Sequence, residues 1–510
     1  MKSVTFSVIL LLLFEASAAA DRNPGIQMLL TSKGINFAKD VVLGFVRDVA
    51  SNLAIPNINE SNYVASDFRT TSFDLGTTKV NTESPIVFKV GVKGATATAT
   101  GKWKASDKIL FFTINGMGKV HVSANIDLEQ TIGFGRNFDK PAFWIGSCSA
   151  DVTNIDIQLE GNYFLQTWIY NILLGFFKDR ISRELKDKIC ENIRGSFAEQ
   201  TKKFSNEFQT DFPLVFGTNQ PIKLNVGLIS NPVVTTNSIT IALRGRCFPM
   251  SMPWLRFPFI PPTAPVLSSY TSKMARISIS PYVMNTLLYS MWKNNVLKKS
   301  FTQQQLSSVL GSPLTANTLA PFLTLAPYGY QQLQAEVLAI RAPKAQFTTR
   351  GVTISGKFDI IAGPPIAPNA ATINTDVEFM FTPLRSGGII SGSMSNMRVV
   401  ITNVGALSSQ ARSKMNKLIE DFLLIQMLPA LNSATETGFE YLRIYGFAFS
   451  DTSIYYRQNA ITMETNFRKL PTTTAAPPSR TIVIEDYTQP DFNVWAISSK
   501  TNNLNILHQG

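Results

Sequence analysis

Side chains that could transfer protons or act as nucleophiles are few in this 510-residue chain. It contains only two histidines, His121 and His508, and His121 falls in an alternating run that is typical of a strand surface. The segment Gly-Ser-Cys-Ser-Ala at 146–150 only loosely resembles the nucleophile elbow of serine hydrolases. The Cys and His spacings do not form a zinc site, and the sequence contains neither a phosphate-binding loop nor a dinucleotide fingerprint. We therefore expect no catalysis, no metal and no cofactor.

The three cysteines permit at most one internal disulfide and leave one odd thiol. Cys148 follows a strand-like stretch, Cys190 lies in a strongly helical stretch, and Cys247 borders a proline-rich segment. We favour the pair Cys148–Cys190, which would pin a long helix to a strand, although spacing alone leaves all three pairings open. Cys247 would then be buried or available for an intermolecular bond. A sequon at Asn59 predicts a glycosylation site.

The first 20 residues have the features of a secretory signal peptide. They contain Lys2, an apolar run at 8–14, and small residues at Ala18 and Ala20 that suit cleavage. An uncleaved membrane anchor is the alternative, but this run is far shorter than the roughly 20 residues that span a bilayer. We expect a secreted, extracellular protein without a membrane span.

Residues 249–265 contain six prolines and divide the chain into two nearly equal halves. Each proline fixes its own φ and lacks a backbone donor, so the segment should be a stiff, extended connector. Its apolar residues, Trp254, Phe257 and Phe259 among them, predict that it packs along the body of the protein. We therefore predict domains at 21–248 and 266–470, separated by the linker, because the mature chain is too long for one core. We expect residues 471–510 to be a poorly ordered tail, with an added strand as the alternative.

Hydrophobic periodicity predicts the same order of elements in each half. The first half has an amphipathic helix from about residue 32, strand-like pieces between 70 and 145, and a long helix over 163–204 with apolar residues at every fourth position. The second half has a helix at 281–297, strand-like pieces between 333 and 402, a helix at 408–432, and two further strands. This repeat predicts two structurally similar modules.

The net charge of +12 is concentrated in the second half. Residues 21–245 contain 24 basic and 21 acidic residues, giving +3, whereas residues 246–470 contain 20 and 10, giving +10. Such an excess favours anionic partners such as membrane headgroups or lipid A phosphates, although general solubility explains it equally well. Nucleic acid is disfavoured because the basic residues are scattered and lack a compact binding motif.

Several short motifs in a fixed order resemble a known family. The motifs are Asn23-Pro24-Gly25, Ser-Lys-Gly-Ile-Asn-Phe-Ala at 32–38, Gly-Lys-Trp-Lys-Ala at 101–105, Ser147-Cys148-Ser149, Ile189-Cys190-Glu191 and the central proline segment. Over about residues 22 to 470 the chain resembles bactericidal/permeability-increasing protein, lipopolysaccharide-binding protein and the plasma lipid transfer proteins.

The resemblance implies an α+β fold shaped as an elongated boomerang. Two similar tubular domains, each a highly twisted antiparallel sheet wrapped around helices, would be joined by a central sheet and the proline-rich linker. The family's single disulfide carries over onto Cys148 and Cys190.

The resemblance also implies one apolar pocket in each domain for the acyl chains of a phospholipid or another amphipathic lipid. By position, the pocket candidates are Ile35, Ala38, Val42, Ile169 and Leu173 in the first domain, and Val283, Leu287, Met291, Met415 and Phe422 in the second. Lys102, Lys104 and Lys108 match part of the basic tip that binds anionic headgroups in the antibacterial members.

These observations predict a secreted protein that holds phospholipid, and they leave open whether it also transfers the lipid between membranes. The alternative is an antibacterial protein of innate immunity that binds lipopolysaccharide at bacterial outer membranes. The phospholipid function is favoured because the first domain carries a charge of only +3, whereas that of the antibacterial members is strongly basic.

Overall fold

The computed structural model defines the backbone of most of the chain. It describes residues 23–51, 57–59, 63–83, 87–109, 112–162, 167–214, 221–263, 265–319, 323–386, 389–402, 407–432 and 447–469. The predicted signal peptide and the predicted tail lie outside these residues. All described residues fall within one compact unit.

The first described elements are a short strand and an amphipathic helix. Strand β1 (Ile26–Thr31) follows the Asn-Pro-Gly turn and was not predicted. Helix α1 (Ser32–Ser51) corresponds to the first predicted helix. A Cβ on Gly34 would come within 2.2 Å of the carbonyl oxygen of Met274, so glycine lets α1 pass close to the backbone of the second half of the chain.

Six strands form the first large antiparallel sheet. They are β2 (Ile58–Asn59), β3 (Tyr63–Asp74), β4 (Thr77–Glu83), β5 (Val87–Ile109), β6 (Phe112–Asn137) and β7 (Lys140–Asn162). Their order is β2-β3-β5-β6-β7, and β4 pairs with the first part of β5. The strands are long because apolar and polar residues alternate over many positions, as at the buried positions Val120, Val122 and Ala124 of β6.

A β-bulge keeps the apolar face of β5 turned inward. Val92 is buried ahead of the bulge, whereas Ala95 and Ala99 are buried after it, so the inward positions change from even to odd numbers. Gly94 has a φ of 66°, a conformation that other residues rarely adopt, and its N–H donates to Asp127 Oδ1 at 2.7 Å. The bulge also increases the local twist, which helps the sheet to curl.

A long helix packs into the curl of this sheet. Helix α2 (Thr167–Glu207) matches the predicted helix over 163–204. Its buried side chains recur at every fourth position, as the periodicity predicted, and pack in one core with the inner faces of β5, β6 and β7. They are Phe177, Ile181, Leu185, Ile189 and Ile193.

Five short strands follow before the proline-rich segment. They are β8 (Asp211–Leu214), β9 (Ile222–Asn225), β10 (Val233–Val234), β11 (Ser238–Leu243) and β12 (Arg246–Pro249). Strands β12, β9 and β8 form a small sheet. Its side chains, including Phe212, Leu224 and Cys247, belong to the same core as the elements after the proline segment. Much of 211–249 therefore packs with the second half of the chain.

The second half repeats the architecture of the first. Its elements are β13 (Ala275–Ile279), α3 (Pro281–Lys293), β14 (Lys298–Phe301), α4 (Gln303–Leu310), β15 (Gln334–Ala339), β16 (Lys344–Thr348), β17 (Gly351–Gly363), β18 (Ala371–Ser386), β19 (Ile389–Ile401), α5 (Ser409–Phe422), β20 (Phe447–Arg457) and β21 (Ala460–Lys469). The second large sheet has the order β14-β15-β17-β18-β19, with β16 also paired to β17. This order matches that of the first sheet strand for strand, which confirms the predicted α+β fold with two similar modules.

A six-stranded central sheet joins the two modules. Its order is β10-β11-β1-β13-β21-β20, so three strands come from each half and β1 pairs with β13 in the middle. The antiparallel register places Ile26 opposite Ile279 and Met28 opposite Ile277. Helix α1 follows β1 directly and helix α3 follows β13 after one residue, so this pairing also positions the first helix of each module.

One side of the proline-rich segment packs against α3, and the other side is exposed. The rings of Phe257 and Phe259 lie 5.4 and 6.0 Å from that of Tyr289, as expected for a packed linker. The expectation that Trp254 also packs against the body is wrong, because this residue is 77% exposed.

A buried ion pair in the central sheet contacts Ser268 and Thr271, which follow the proline-rich segment. Arg276 of β13 and Glu464 of β21 are opposite each other, with their side chains only 11% and 14% exposed, and Nε donates to Oε1 at 2.8 Å. Arg276 Nη1 also donates to the carbonyl oxygen of Ser268 at 2.7 Å, and Thr271 Oγ1 donates to Glu464 Oε2 at 2.8 Å. Both charges are therefore satisfied within the protein.

We predict that Glu464→Gln lowers the free energy of unfolding by about 3 kcal/mol, because it leaves the buried Arg276 guanidinium without its counter-charge. The control is Glu191→Gln, which removes an exposed partner of Lys188 and should cost less than about 1 kcal/mol. Urea unfolding followed by circular dichroism measures both values. Equal losses for the two variants would contradict the structural role of the pair.

Candidate functional site

Each large sheet encloses an apolar interior. In the first module, the inner faces of β3, β5, β6 and β7 meet α2 and Leu43 of α1. In the second module, the inner faces of β15 to β19 meet α3, α4 and α5. These interiors are the places where the fold removes a contiguous apolar surface from water.

Small side chains cluster on the inner wall of the first module. Ala95, Ala97 and Ala99 succeed one another on the inner face of β5, and Ala124 of β6 is opposite Ala97. We call these four residues the alanine patch. Alanine extends only a methyl group from the sheet, so the inner wall carries little side-chain volume at this point.

Aromatic rings line much more of the second interior. The buried rings of its sheet include Phe347, Phe358, Phe379 and Phe381, and Phe358 makes an edge contact with Phe422 of the helical side at 6.2 Å. The two modules thus share a topology, while their interiors differ in how far side chains reach inward.

The pocket candidates of the first domain occupy different surroundings. Ile35 is buried, but it packs with Phe134 and Phe208 in a separate cluster near the central sheet. Ala38 is exposed on α1. Val42, Ile169 and Leu173 lie in helices α1 and α2, and their side chains are outside the described part of the structure. Sequence reasoning missed Leu43, whose side chain is among the described residues of α1 and packs in the first interior. Its i+8 spacing from Ile35 was the available signal.

The pocket candidates of the second domain come together. Leu287, Met291, Met415 and Phe422 are all buried in one core, and Val283 is partly buried against it. Helix α5 also continues into a π-helical turn, Leu423–Met427, where Leu424 and Ile425 are exposed. Such turns are frequent at functional sites.

Two of the headgroup candidates, Lys102 and Lys104, lie on the outer face of the first sheet. Lys102 Nζ donates to Asp67 Oδ2 at 2.9 Å, and this ion pair holds the pKa of the Asp67 carboxyl below its ordinary value. Lys104 is exposed, and the side chain of Lys108 is outside the described residues. The register adds Lys119, which is opposite Lys102 on β6 and was missed because the two are distant in sequence.

The remaining predicted residues are surface or structural features. Asn59 is exposed at the end of β2. The structure joins Cys148 of β7 to Cys190 of α2 in a disulfide. Beside it lies an open groove of about 720 Å³ whose wall contains both Lys186 and Glu191, so its charge does not single out a ligand.

His121 is half-buried on β6, with Nε2 3.4 Å from Glu160 Oε2. Among the described residues, no three His, Cys, Asp or Glu side chains lie close enough together to hold a metal ion. Within the same ranges, none of the helices combines the length and the apolar character that a membrane span requires.

Taken together, two repeated modules with apolar interiors and a shared central sheet define a class of two-module α+β folds. The sequence agrees, because the family model described as the LBP / BPI / CETP family, N-terminal domain, matches residues 38–205. The C-terminal domain model of the same family matches residues 218–469. These ranges cover more than half of the chain, which therefore belongs to this family.

Individual relatives are distant in sequence. The chain is 20% identical to lipopolysaccharide-binding protein of Homo sapiens over 84% of this chain and 90% of the relative. It is 20% identical to phospholipid transfer protein of Homo sapiens over 81% of this chain and 84% of the relative. A crystal structure of lipopolysaccharide binding protein matches with a TM-score of 0.54 at 16% identity, covering 88% of this chain and all of that one, and shows the same fold.

The third cysteine, Cys247, is buried in the core of the second module. It is 1% exposed, its N–H donates to Thr286 Oγ1 at 3.0 Å, and its carbonyl oxygen accepts from Ser290 Oγ at 3.0 Å. Burial raises the pKa of its thiol to about 12. Of the two fates left open by the sequence, the structure favours burial over an intermolecular bond.

We predict that Cys247 in the native protein reacts with a thiol reagent at pH 8 about a thousandfold more slowly than in the unfolded protein, because the thiolate is suppressed and access is blocked. Unfolding in guanidinium without a reductant should release one thiol, and none in the control Cys247→Ala. A disulfide-linked dimer on a non-reducing gel, abolished by Cys247→Ala, would contradict this prediction.

Proposed function

We propose that this secreted, non-enzymatic protein binds phospholipid and holds its acyl chains in the apolar interior of the first module. The observation that carries the proposal is the alanine patch, where the inner wall of an apolar interior carries only methyl groups. The second interior, with its larger aromatic content, is the secondary site.

Burial of acyl chains supplies the driving force for such binding. Each methylene removed from water contributes about 0.8 kcal/mol, so two long chains provide many kcal/mol before the costs of ordering are subtracted. The headgroup is charged and remains in water, because an unpaired ion would be costly inside either module. Flexible methionines such as Met291 and Met415 suit an irregular apolar guest in the second module.

The names of the relatives agree with an amphipathic ligand. One relative is named for lipopolysaccharide and another for phospholipid transfer. Both ligands join acyl chains to a polar group that carries phosphate, so each would use the same kind of apolar interior. Identity of about 20% leaves the choice between them to the residues of this chain.

Lipopolysaccharide binding with an antibacterial role is the second candidate. Lys102, Lys104 and Lys119 form a basic strip on the outer face of β5 and β6, which favours this candidate. Two observations count against it: Asp67 pairs with Lys102, and the first half of the chain carries a net charge of only +3.

We predict that Ala99→Trp lowers the phospholipid that co-purifies with the protein by at least about fivefold, because the indole would occupy the part of the interior where we propose that the acyl chains lie. Thr96→Trp is the matched control, since Thr96 is exposed on the outer face of the same strand and should retain the lipid. Native mass spectrometry of protein from its secretory host measures the lipid, and circular dichroism checks that both variants fold. Full lipid content in Ala99→Trp, or none in the unchanged protein, would refute the proposed site.

We also predict that Lys102→Ala/Lys104→Ala binds vesicles containing lipid A within about twofold of the unchanged protein, because Asp67 already offsets part of this charge. The control variant is Lys344→Ala/Lys417→Ala, which removes two exposed lysines from the second module. Vesicle flotation at 0.15 M salt measures both. A loss of tenfold or more in the first variant alone would establish the second candidate function instead.

A further inference from the structure

The proline-rich segment has two faces of different character. From 254 to 261 the exposure alternates: Leu255, Phe257, Phe259 and Pro261 are turned inward, while the residues between them are exposed. We call the exposed set, Trp254, Arg256, Pro258 and Ile260, the outer row. Alternation of this kind is what an extended backbone produces when one side rests on the protein.

Several contacts hold the inner side in place. Phe257 and Phe259 pack against the aromatic surface of α3, Arg246 Nη2 donates to the carbonyl oxygen of Pro253 at 3.2 Å, and Asn23 Nδ2 donates to that of Pro261 at 3.1 Å. The prolines restrict the backbone further. The outer row is therefore presented by a stiff, anchored backbone.

The outer row combines apolar, aromatic and basic side chains. Trp254 is 77% and Ile260 68% exposed, and Arg256 lies between them and is also exposed. Just after the segment, Val266 and Tyr270 are almost fully exposed. Exposed tryptophan and tyrosine beside arginine is the composition that soluble proteins place at a lipid headgroup interface.

The charge of the surrounding sequence is one-sided. Residues 212–335 contain no aspartate or glutamate, but nine lysines and arginines. Two carboxylates that contact residues 271–276, just after the segment, are each paired with a base: Glu464 with Arg276, and Asp451 with Lys273. An anionic surface can therefore approach the outer row without meeting an unpaired carboxylate from this stretch.

We propose that the outer row is a docking surface for an anionic phospholipid membrane. Trp254 and Ile260 enter the headgroup region and Arg256 pairs with lipid phosphates or carboxylates. This site is distinct from the module interiors and does not require that they hold lipid. It also differs from the basic strip on the first sheet.

A membrane fits this surface better than a second copy of the chain does. A second copy would bring its own Arg256 against this one, and like charges would oppose the contact. A lipid surface accepts isolated tryptophan and isoleucine side chains individually, whereas a protein partner would need a complementary pocket for each. Because the backbone is already stiff, docking requires little further ordering.

The test is flotation of the full-length protein with vesicles of phosphatidylcholine containing 30% phosphatidylserine, compared with phosphatidylcholine alone. We expect Trp254→Ser/Ile260→Ser to reduce binding to anionic vesicles by at least about tenfold, and Arg256→Gln by about fivefold. The control is Tyr330→Ser/Ile366→Ser, which removes an aromatic and an aliphatic residue that are 85% and 76% exposed elsewhere. This control should bind as the unchanged protein does.

Fluorescence gives a second, independent readout of insertion. Brominated acyl chains in the anionic vesicles should quench part of the tryptophan emission, and Trp254→Phe should remove the quenched part. Binding of the outer-row variant within twofold of the unchanged protein, or quenching that is unchanged in Trp254→Phe, would overturn the proposal. The proposal would also be overturned if the unchanged protein did not bind vesicles and light scattering showed it as a dimer that Trp254→Ser/Ile260→Ser abolishes.

Failure of this proposal can be told apart from failure of the proposed function. Ala99→Trp should lose co-purifying phospholipid but still float with anionic vesicles. Trp254→Ser/Ile260→Ser should keep its phospholipid but fail to float.

Discussion

The pairing of β1 with β13 is the interaction on which the two-module arrangement depends. Both strands are short, and neither could be stable alone. Together they form the middle of the central sheet, with β11 and β21 on their outer sides. Since α1 follows β1 directly and α3 follows β13 after Ser280, the register of this one ladder sets where the first helix of each module begins. The Arg276–Glu464 pair then joins β13 to β21 and contacts Ser268, just after the proline segment.

Repetition of topology does not impose repetition of the interior. The strand orders of the two large sheets correspond, yet the first wall carries four alanines at the alanine patch and the second is lined by four phenylalanines. Backbone hydrogen bonds fix the sheets, and the inward side chains are free to differ as long as they stay apolar. A fold of this kind can therefore keep one module adapted to a guest while the other adds stability through packing, and the sequence of each inner face decides which.

Long, regular elements were predictable from the sequence because their signal is local. Apolar residues recur every four residues from Phe177 to Ile193, and apolar and polar residues alternate along β6. Both patterns repeat many times, and the burial of these side chains follows them. Strand β1 has only six residues, and its partners lie more than 200 residues away, so nothing nearby marks it. The packing of Phe212 and Cys247 with the second core was hidden for the same reason. At the candidate site, hydrophobicity identified Leu287 and Met415 as interior residues, but it could not reveal that β5 and β6 bring their alanines together.

The proline segment has an inner and an outer face although its hydropathy pattern does not show them. Every position from Trp254 to Ile260 other than Arg256 is apolar, so its period of two is invisible in hydropathy and emerges only from burial. The stacking of Phe257 and Phe259 on Tyr289 fixes which side faces inward. Trp254 then has to face outward, since rotating it inward would expose both phenylalanines. Folding alone therefore explains why some residues of the segment are exposed, but not why tryptophan and isoleucine occupy these positions. A polar side chain at either position would leave the stacking intact, so the apolar identity of the outer row points to a contact outside the folded chain.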